Sequence, residues 1–107
     1  MKVGDYVRTK GDGYINKIKK VNQYTVLVDG RDLFGEELTI AINEIKKSSP
    51  NIIELIQEGD YVNGHKITGK SNLNILYTND EQIRITSKDI KSIVTKEQFE
   101  QMEYKIN

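Results

Sequence analysis

The tetrapeptide Gly-Asp-Tyr-Val stands at Gly4 to Val7 and again at Gly59 to Val62 of a 107-residue chain. The correspondence continues beyond it. Leu38 to Lys46 aligns without a gap on Ile83 to Lys91, so that Leu38 falls on Ile83, Ile40 on Ile85 and Ile45 on Ile90. The first two of these apolar positions lie two residues apart, the spacing that puts side chains on one face of a strand. Upstream, Tyr24 to Gly30 matches Leu73 to Asp80; both runs are rich in β-formers and end in turn residues. The halves read as two copies of one small β unit. Only the first carries Gly11-Asp12-Gly13, and loops tolerate such insertions. Little sequence is left over for anything else.

Each half is about fifty residues, near the lower limit for an independent core, so the units are expected to pack against each other. There is no cysteine. That excludes disulfides and thiolate metal sites and fits a reducing cytosol. Met1-Lys2-Val3-Gly4-Asp5 lacks the apolar stretch of a signal peptide, and no apolar run approaches membrane-spanning length. The expectation is a cytoplasmic protein without membrane contact. Sixteen basic and sixteen acidic residues balance to zero formal charge. A dedicated nucleic-acid binder carries a basic excess, because phosphate neutralisation supplies most of its affinity. A DNA mimic needs an acidic one. Residues 1–49 hold nine basic and seven acidic side chains, and residues 50–107 hold seven and nine.

The chain is expected to be mostly β with small α content. Val3 to Thr9, Tyr14 to Val21, Tyr24 to Val28 and Glu36 to Ile42 read as strands of the first unit. Asn22-Gln23 is a tight connection, Asp29 to Asp32 a turn around Gly30, and Asn43 to Lys47 a helical turn before a last short pairing. Ser48-Ser49-Pro50 breaks the unit. Pro50 suits the first turn of a linker helix, in which Ile52, Ile53, Leu55 and Ile56 form a plug between the units. Asn63-Gly64 is a two-residue hairpin signal. Thr95 and Gln98 form a capping box for a helix over Lys96 to Met102. Glu103 to Ile106 then alternates as a final strand, and Phe99, Met102, Tyr104 and Ile106 are expected in the core. The division is 1–49 for the first unit, 50–57 for the linker and 58–107 for the second unit.

Val3-Gly4-Asp5-Tyr6-Val7-Arg8, Gly13-Tyr14-Ile15 and Glu44-Ile45 resemble the opening strand, curved hairpin and closing turn of SH3-like barrels of the KOW or Tudor kind. The resemblance covers residues 3–48 and, more loosely, 58–94. It implies two tandem SH3-like β-barrel units. The segments Pro50 to Ile56, Glu58 to Gly64 and Ile93 to Tyr104 resemble small phage and prophage proteins of Firmicutes. That implies a mobile-element origin, a setting that includes inhibitors of host defence such as anti-CRISPR proteins.

No constellation for catalysis stands out. His65, beside Gly64 in a turn, has neither a second His nor a Cys to share a metal, and a catalytic His needs a partner placed by the fold. Glu36-Glu37 and Asp80-Glu81 are neighbours that point to opposite strand faces. Gly11-Asp12-Gly13 lacks the Lys-Ser or Lys-Thr of a phosphate loop. The expectation is a non-enzymatic protein without cofactor or metal. Lys10, Tyr14, Lys17, Lys19, Lys20 and Arg31, with Tyr24, put positive charge beside aromatic rings around the first hairpin. Nucleic-acid modules use that pairing for phosphate contact and base stacking. A solvated strand face with core tyrosines has the same sequence. Exposed sheet edges, tyrosines and mixed charge suit protein contacts. The expected partner is a host protein, with nucleic acid the alternative, and the protein is a monomer or homodimer.

Overall fold

A computed structural model describes residues 1–31 and 34–102, without the side chains of Arg31 and Met102. The chain is mostly β. The first half supplies β1 (Tyr6–Thr9), β2 (Ile15–Val21), β3 (Thr25–Arg31), β4 (Glu37–Ala41) and β5 (Ile45–Ser49). The second supplies β6 (Tyr61–Val62), β7 (His65–Lys70), β8 (Leu76–Thr78), β9 (Arg84–Ile85) and β10 (Ile93–Val94), followed by α1 (Lys96–Met102). One sheet runs β4-β3-β2-β1-β5 and the other β9-β8-β7-β6-β10, the same order strand for strand. A 3-10 turn at Ile42–Glu44 precedes β5, and one at Ser87–Asp89 precedes β10.

The tetrapeptide forms the same turn in both units. Gly4 and Gly59 have φ of 93° and 96°, a region that glycine enters without steric cost. Their amides donate to the Ile18 and Ile67 carbonyls, both at 2.9 Å. The next residue, Asp5 or Asp60, accepts the amide of Lys2 at 3.1 Å or of Gln57 at 2.7 Å. Val7 and Val62 then point into their cores. The register slips between Ile18 and Lys20 opposite β3, and again between Ile67 and Gly69 opposite β8, so the bulge is duplicated too. Asn63 and Gly64 both take positive φ between β6 and β7, as a two-residue hairpin requires.

Val7, Ile18, Val26, Val28 and Ile40 form the first core, with Leu38, Ile42 and Ile45 against it. Their counterparts Val62, Ile67, Leu76 and Ile85 form the second, with Ile83 and Ile90 against it. The fifth position differs. Val28 pairs with Ile18, whereas Ile67 pairs with Thr78, a buried hydroxyl that donates to the Asp80 carbonyl at 2.8 Å. Ile53 and Ile56 complete the second core from the connecting segment.

Several expectations are corrected. The linker helix is a 3-10 turn over Ile52–Leu55, capped by the Asn51 side chain, and its apolar residues belong chiefly to the second core. Gly30 is a bulge inside β3 instead of a turn, because the strand continues to Arg31 with its register displaced after Val28. Tyr24 lies in the β2–β3 connection and precedes the strand. The capping box forms as expected: Thr95 Oγ1 accepts the Gln98 amide at 3.3 Å and Gln98 Oε1 accepts the Thr95 amide at 2.9 Å. Phe99 is not core. It is 44% exposed and stacks on Tyr61 with ring centroids 4.7 Å apart, so only one face is covered. The Met102 side chain, Tyr104, Ile106 and the expected strand Glu103 to Ile106 lie outside the described residues, as does Asp32. Among the described residues no helix is long and apolar enough to cross a membrane.

Candidate functional site

The strongest electrostatic feature joins the units. Arg8 follows Val7 on β1 and is 1% exposed. Its Nη1 donates to Asp60 Oδ2 at 2.5 Å and to the Leu55 carbonyl at 2.9 Å. Nη2 donates to Asp60 Oδ1 at 3.0 Å and to Glu97 Oε2 at 2.6 Å. Asp60, fully buried, also accepts the Lys96 amide at 2.9 Å at the start of α1. Burial on its own lowers the Arg8 pKa, but the bonds and charge of Asp60, reinforced by Glu97, more than reverse it, so the guanidinium stands above its ordinary value. A fork donating to two carboxylates in a dry site fixes geometry as well as charge. The Gly11–Gly13 loop lies over the same helix. Gln101 donates to Asp12 at 2.7 Å, and a Cβ at Gly13 would run into the Glu97 carboxylate. The cluster therefore serves as a fastener between the units.

The six residues expected to form one contact surface lie in different places. Lys10 donates to the Asn43 carbonyl at 2.9 Å, beside the first 3-10 turn. Tyr14 faces α1 alongside Gln98 and Gln101. Lys17 sits over the Tyr6 ring, 5.8 Å from its centroid. Lys19 lies 4.0 Å from Glu37, with both side chains about half exposed. Lys20 is exposed on β2 beyond the bulge. The Arg31 side chain lies outside the described residues. The tyrosines are not a hidden core: Tyr14 is exposed and Tyr24 is 75% exposed. His65 is half-buried at the start of β7 instead of exposed in the turn. Among the described residues no group of three His, Cys, Asp or Glu could hold a metal.

Comparing the two units marks one surface that sequence reasoning missed. Lys70, at the end of β7, donates to the carbonyls of Ile53, Glu54 and Ile56 at 3.3, 3.3 and 3.0 Å. Burial, and next the charge of Lys47, hold its pKa below the ordinary lysine value. Lys70 is thus tied to the connecting turn while remaining exposed, and Leu73 in the β7–β8 connection is exposed as well. The register places Val21 where the second unit has Lys70, since Val21 pairs with Val26 as Lys70 pairs with Leu76. Val21 is 38% exposed, and Tyr24 stands beside it in the chain, with Lys19 and Lys20 preceding it. The signal for this surface was the replacement of a lysine by a valine at equivalent strand ends. It is readable only once the bulges are aligned.

The chain matches no family model, no curated protein and no solved structure.

Proposed function

We propose that the protein is a non-catalytic binding protein whose partner is another protein, contacted at the end of the first sheet. One observation carries this reading: Val21 and Tyr24 are exposed apolar groups at the end of β2 and just beyond it, where the second unit has Lys70 tied to the carbonyls of the connecting turn. A β-strand end flanked by an exposed aromatic ring and lysines has the composition of a protein-contact surface, an apolar centre with a charged rim. In both sheets the first strand pairs with the last, and a 3-10 turn precedes that last strand. This order supports reading the units as two tandem SH3-like barrels. Under the resemblance to phage and prophage proteins the partner is a host protein, with defence components among the candidates. The competing reading is a KOW-like nucleic-acid contact through Lys17, Lys19 and Lys20.

Affinity capture from a bacterial lysate, with and without nuclease, tests the proposal when the wild-type protein is run beside a Val21→Ser, Tyr24→Ser variant. The expected result is a protein that survives nuclease and is lost with the variant. Capture that disappears after nuclease, or that falls steeply as salt rises, supports the nucleic-acid reading instead. Capture indifferent to the variant removes the proposed surface.

A further inference from the structure

α1 crosses the seam where the units abut and rests on both. On the second unit, the Lys96 amide donates to Asp60 and Phe99 stacks on Tyr61. On the first, Glu97 accepts from Arg8 and Gln101 donates to Asp12. Between these contacts the packing is open. Gln98 and Gln101 face Tyr14 across a groove of about 250 Å3 whose other walls are Ile93 and Val94. Among the described residues, no side chain of α1 belongs to either core, and Phe99, Glu100 and Gln101 are exposed.

A helix of seven residues is marginal in water without tertiary contacts, because few propagating bonds follow its costly first turn. Leaving its seat and unravelling therefore coincide. The seat survives that departure. Arg8 loses its bond to Glu97 but keeps both bonds to Asp60 and the one to the Leu55 carbonyl. Asp60 loses the Lys96 amide but keeps Arg8 and the Gln57 amide. No buried charge is left alone, so the penalty of splitting the Arg8–Asp60 pair does not arise. Segments with few buried apolar contacts open at a lower cost than the whole fold.

We infer that α1 is a strap that opens and recloses by itself while both cores stay folded. Opening frees Nη2 of Arg8 for another acceptor and releases the face of Tyr61 that Phe99 occupies. The Gly11–Gly13 loop is the catch. It is closed at its base, where the Thr9 amide donates to the Tyr14 carbonyl and the Tyr14 amide to Thr9 Oγ1, both at 2.9 Å. Its tip holds α1 through Asp12, and the missing side chain at Gly13 leaves the place that the Glu97 carboxylate fills. This device does not depend on the contact surface at Val21 and Tyr24, and its failure leaves that reading in place.

Native-state amide hydrogen exchange on the full chain, followed by NMR over a series of low urea concentrations, tests the strap. The Phe99 amide, bonded to the Thr95 carbonyl at 2.9 Å, reports α1. The Ile18 and Ile67 amides, bonded to the Asp5 and Asp60 carbonyls at 2.8 Å, report the two cores. After correction for intrinsic rates, Phe99 is expected to exchange faster than either isoleucine by about tenfold or more. Its dependence on urea should be shallower, because opening α1 exposes little surface. Glu97→Ala should speed Phe99 by about tenfold or more, the scale of one hydrogen bond between charged groups. Ile53→Val, which trims the second core, should speed Ile67 and leave Phe99 unchanged. The inference is overturned if Phe99 shares the rate and urea slope of Ile67, if Glu97→Ala leaves Phe99 unchanged, or if Ile53→Val speeds both alike. The urea series on the unaltered protein decides even where a variant fails to fold.

Discussion

The aspartates of the duplicated tetrapeptide begin with the same task and end with different ones. Asp5 accepts a backbone amide three residues upstream, and Asp60 does the same. Asp60 then takes two bonds from Arg8 and one from the Lys96 amide. Arg8 sits on β1 where β6 continues into Asn63 of the hairpin turn, whose amide oxygen accepts the Lys91 and Ser92 amides. A buried cation of one unit thus satisfies a carboxylate of the other. The strand order and the Gly-Asp turns are common to both units, whereas β3 has a bulge at Gly30 that β8 lacks and the core position of Val28 is held by Thr78 in the second. Two identical units would have identical needs. These two differ at the fastener, at the Gly11–Gly13 loop, at the core position held by Val28 or Thr78 and at the strand end that carries Val21 or Lys70.

Removing the fastener should produce the largest effect. Arg8→Met leaves Asp60 charged and buried, and breaking such a pair costs about 3–5 kcal/mol. Urea denaturation measures it. Asp60→Asn added to Arg8→Met should recover part of the loss, because no buried charge is then left alone. Asp5→Asn in the other copy leaves an oxygen to accept the Lys2 amide and removes only the acceptor's charge, so it should cost about 1 kcal/mol. Equal costs for Asp5→Asn and Asp60→Asn would break the comparison.

The loop insertion gives a smaller contrast between two glycines with the same φ of 68°. Gly11 has open space around the position of a Cβ, so Gly11→Ala should cost only the strain of a left-handed conformation, about 1 kcal/mol. Gly13→Ala meets the Glu97 carboxylate and the buried Thr95 hydroxyl as well. That carboxylate can swing away, but doing so breaks its bond to Arg8, adding about 1.5–3 kcal/mol for a hydrogen bond between charged groups. Thermal melts of the two variants should separate accordingly, and Gly13→Ala in an Arg8→Met background should lose the part of the extra cost that comes from the Glu97 bond, leaving the contact with Thr95.

The two tyrosines of the repeat differ by less. Tyr61 stacks on Phe99, whereas Tyr6 carries Lys17 over its ring. A double-mutant cycle on Tyr61 and Phe99 should give a coupling of about 0.5–1.5 kcal/mol. One on Tyr6 and Lys17 should give about 0.5–1 kcal/mol, at an exposed site. A larger value for Tyr6 and Lys17 would mean that the seam contributes more to stability than the helix contact does.

What the sequence disclosed was local. The Gly-Asp turns, the Asn63-Gly64 hairpin, the Thr95–Gln98 box and the alignment of Leu38, Ile40 and Ile45 on Ile83, Ile85 and Ile90 each depend on residues a few places apart. All appear in the structure. The misreadings are cases where tertiary context decided. Gly30 has the same positive φ in a bulge as in a turn, so composition could not separate them. Phe99 has helical spacing, but it stacks on Tyr61 and stays 44% exposed. Arg8 and Asp60 are fifty-two positions apart, and nothing in either neighbourhood announces the other. Of the expected contact residues, Lys17 and Tyr14 line the seam, Lys19 and Lys20 lie near the bare strand end, and Lys10 is tied to a carbonyl. Charge and aromaticity were legible, but their distribution over three surfaces was not.

The finest difference lies in the two 3-10 turns that lead into the closing strands, and acid should expose it. In the second unit Thr86 and Asp89 form a reciprocal capping box; in the first, Ala41 and Glu44 hold those places and no side chain caps the turn. The Thr86 hydroxyl first, and then its backbone amide, hold the Asp89 pKa below its ordinary 3.8. A carboxyl whose folded value lies below its unfolded one contributes its full stability above the unfolded value, and loses it as pH falls through the folded value. Acid should therefore loosen the approach to β10 while the approach to β5 responds differently. A carbon-13 titration of the Asp89 carboxyl should show a midpoint below 3.8 that returns toward the ordinary value in Thr86→Val. Placing the box in the first unit, by Ala41→Thr with Glu44→Asp, should transfer the depressed midpoint to that turn. A midpoint for Asp89 that ignores Thr86→Val would show that the charges of Lys88 and Lys91 set it instead, and the two turns would then differ in composition without differing in mechanism.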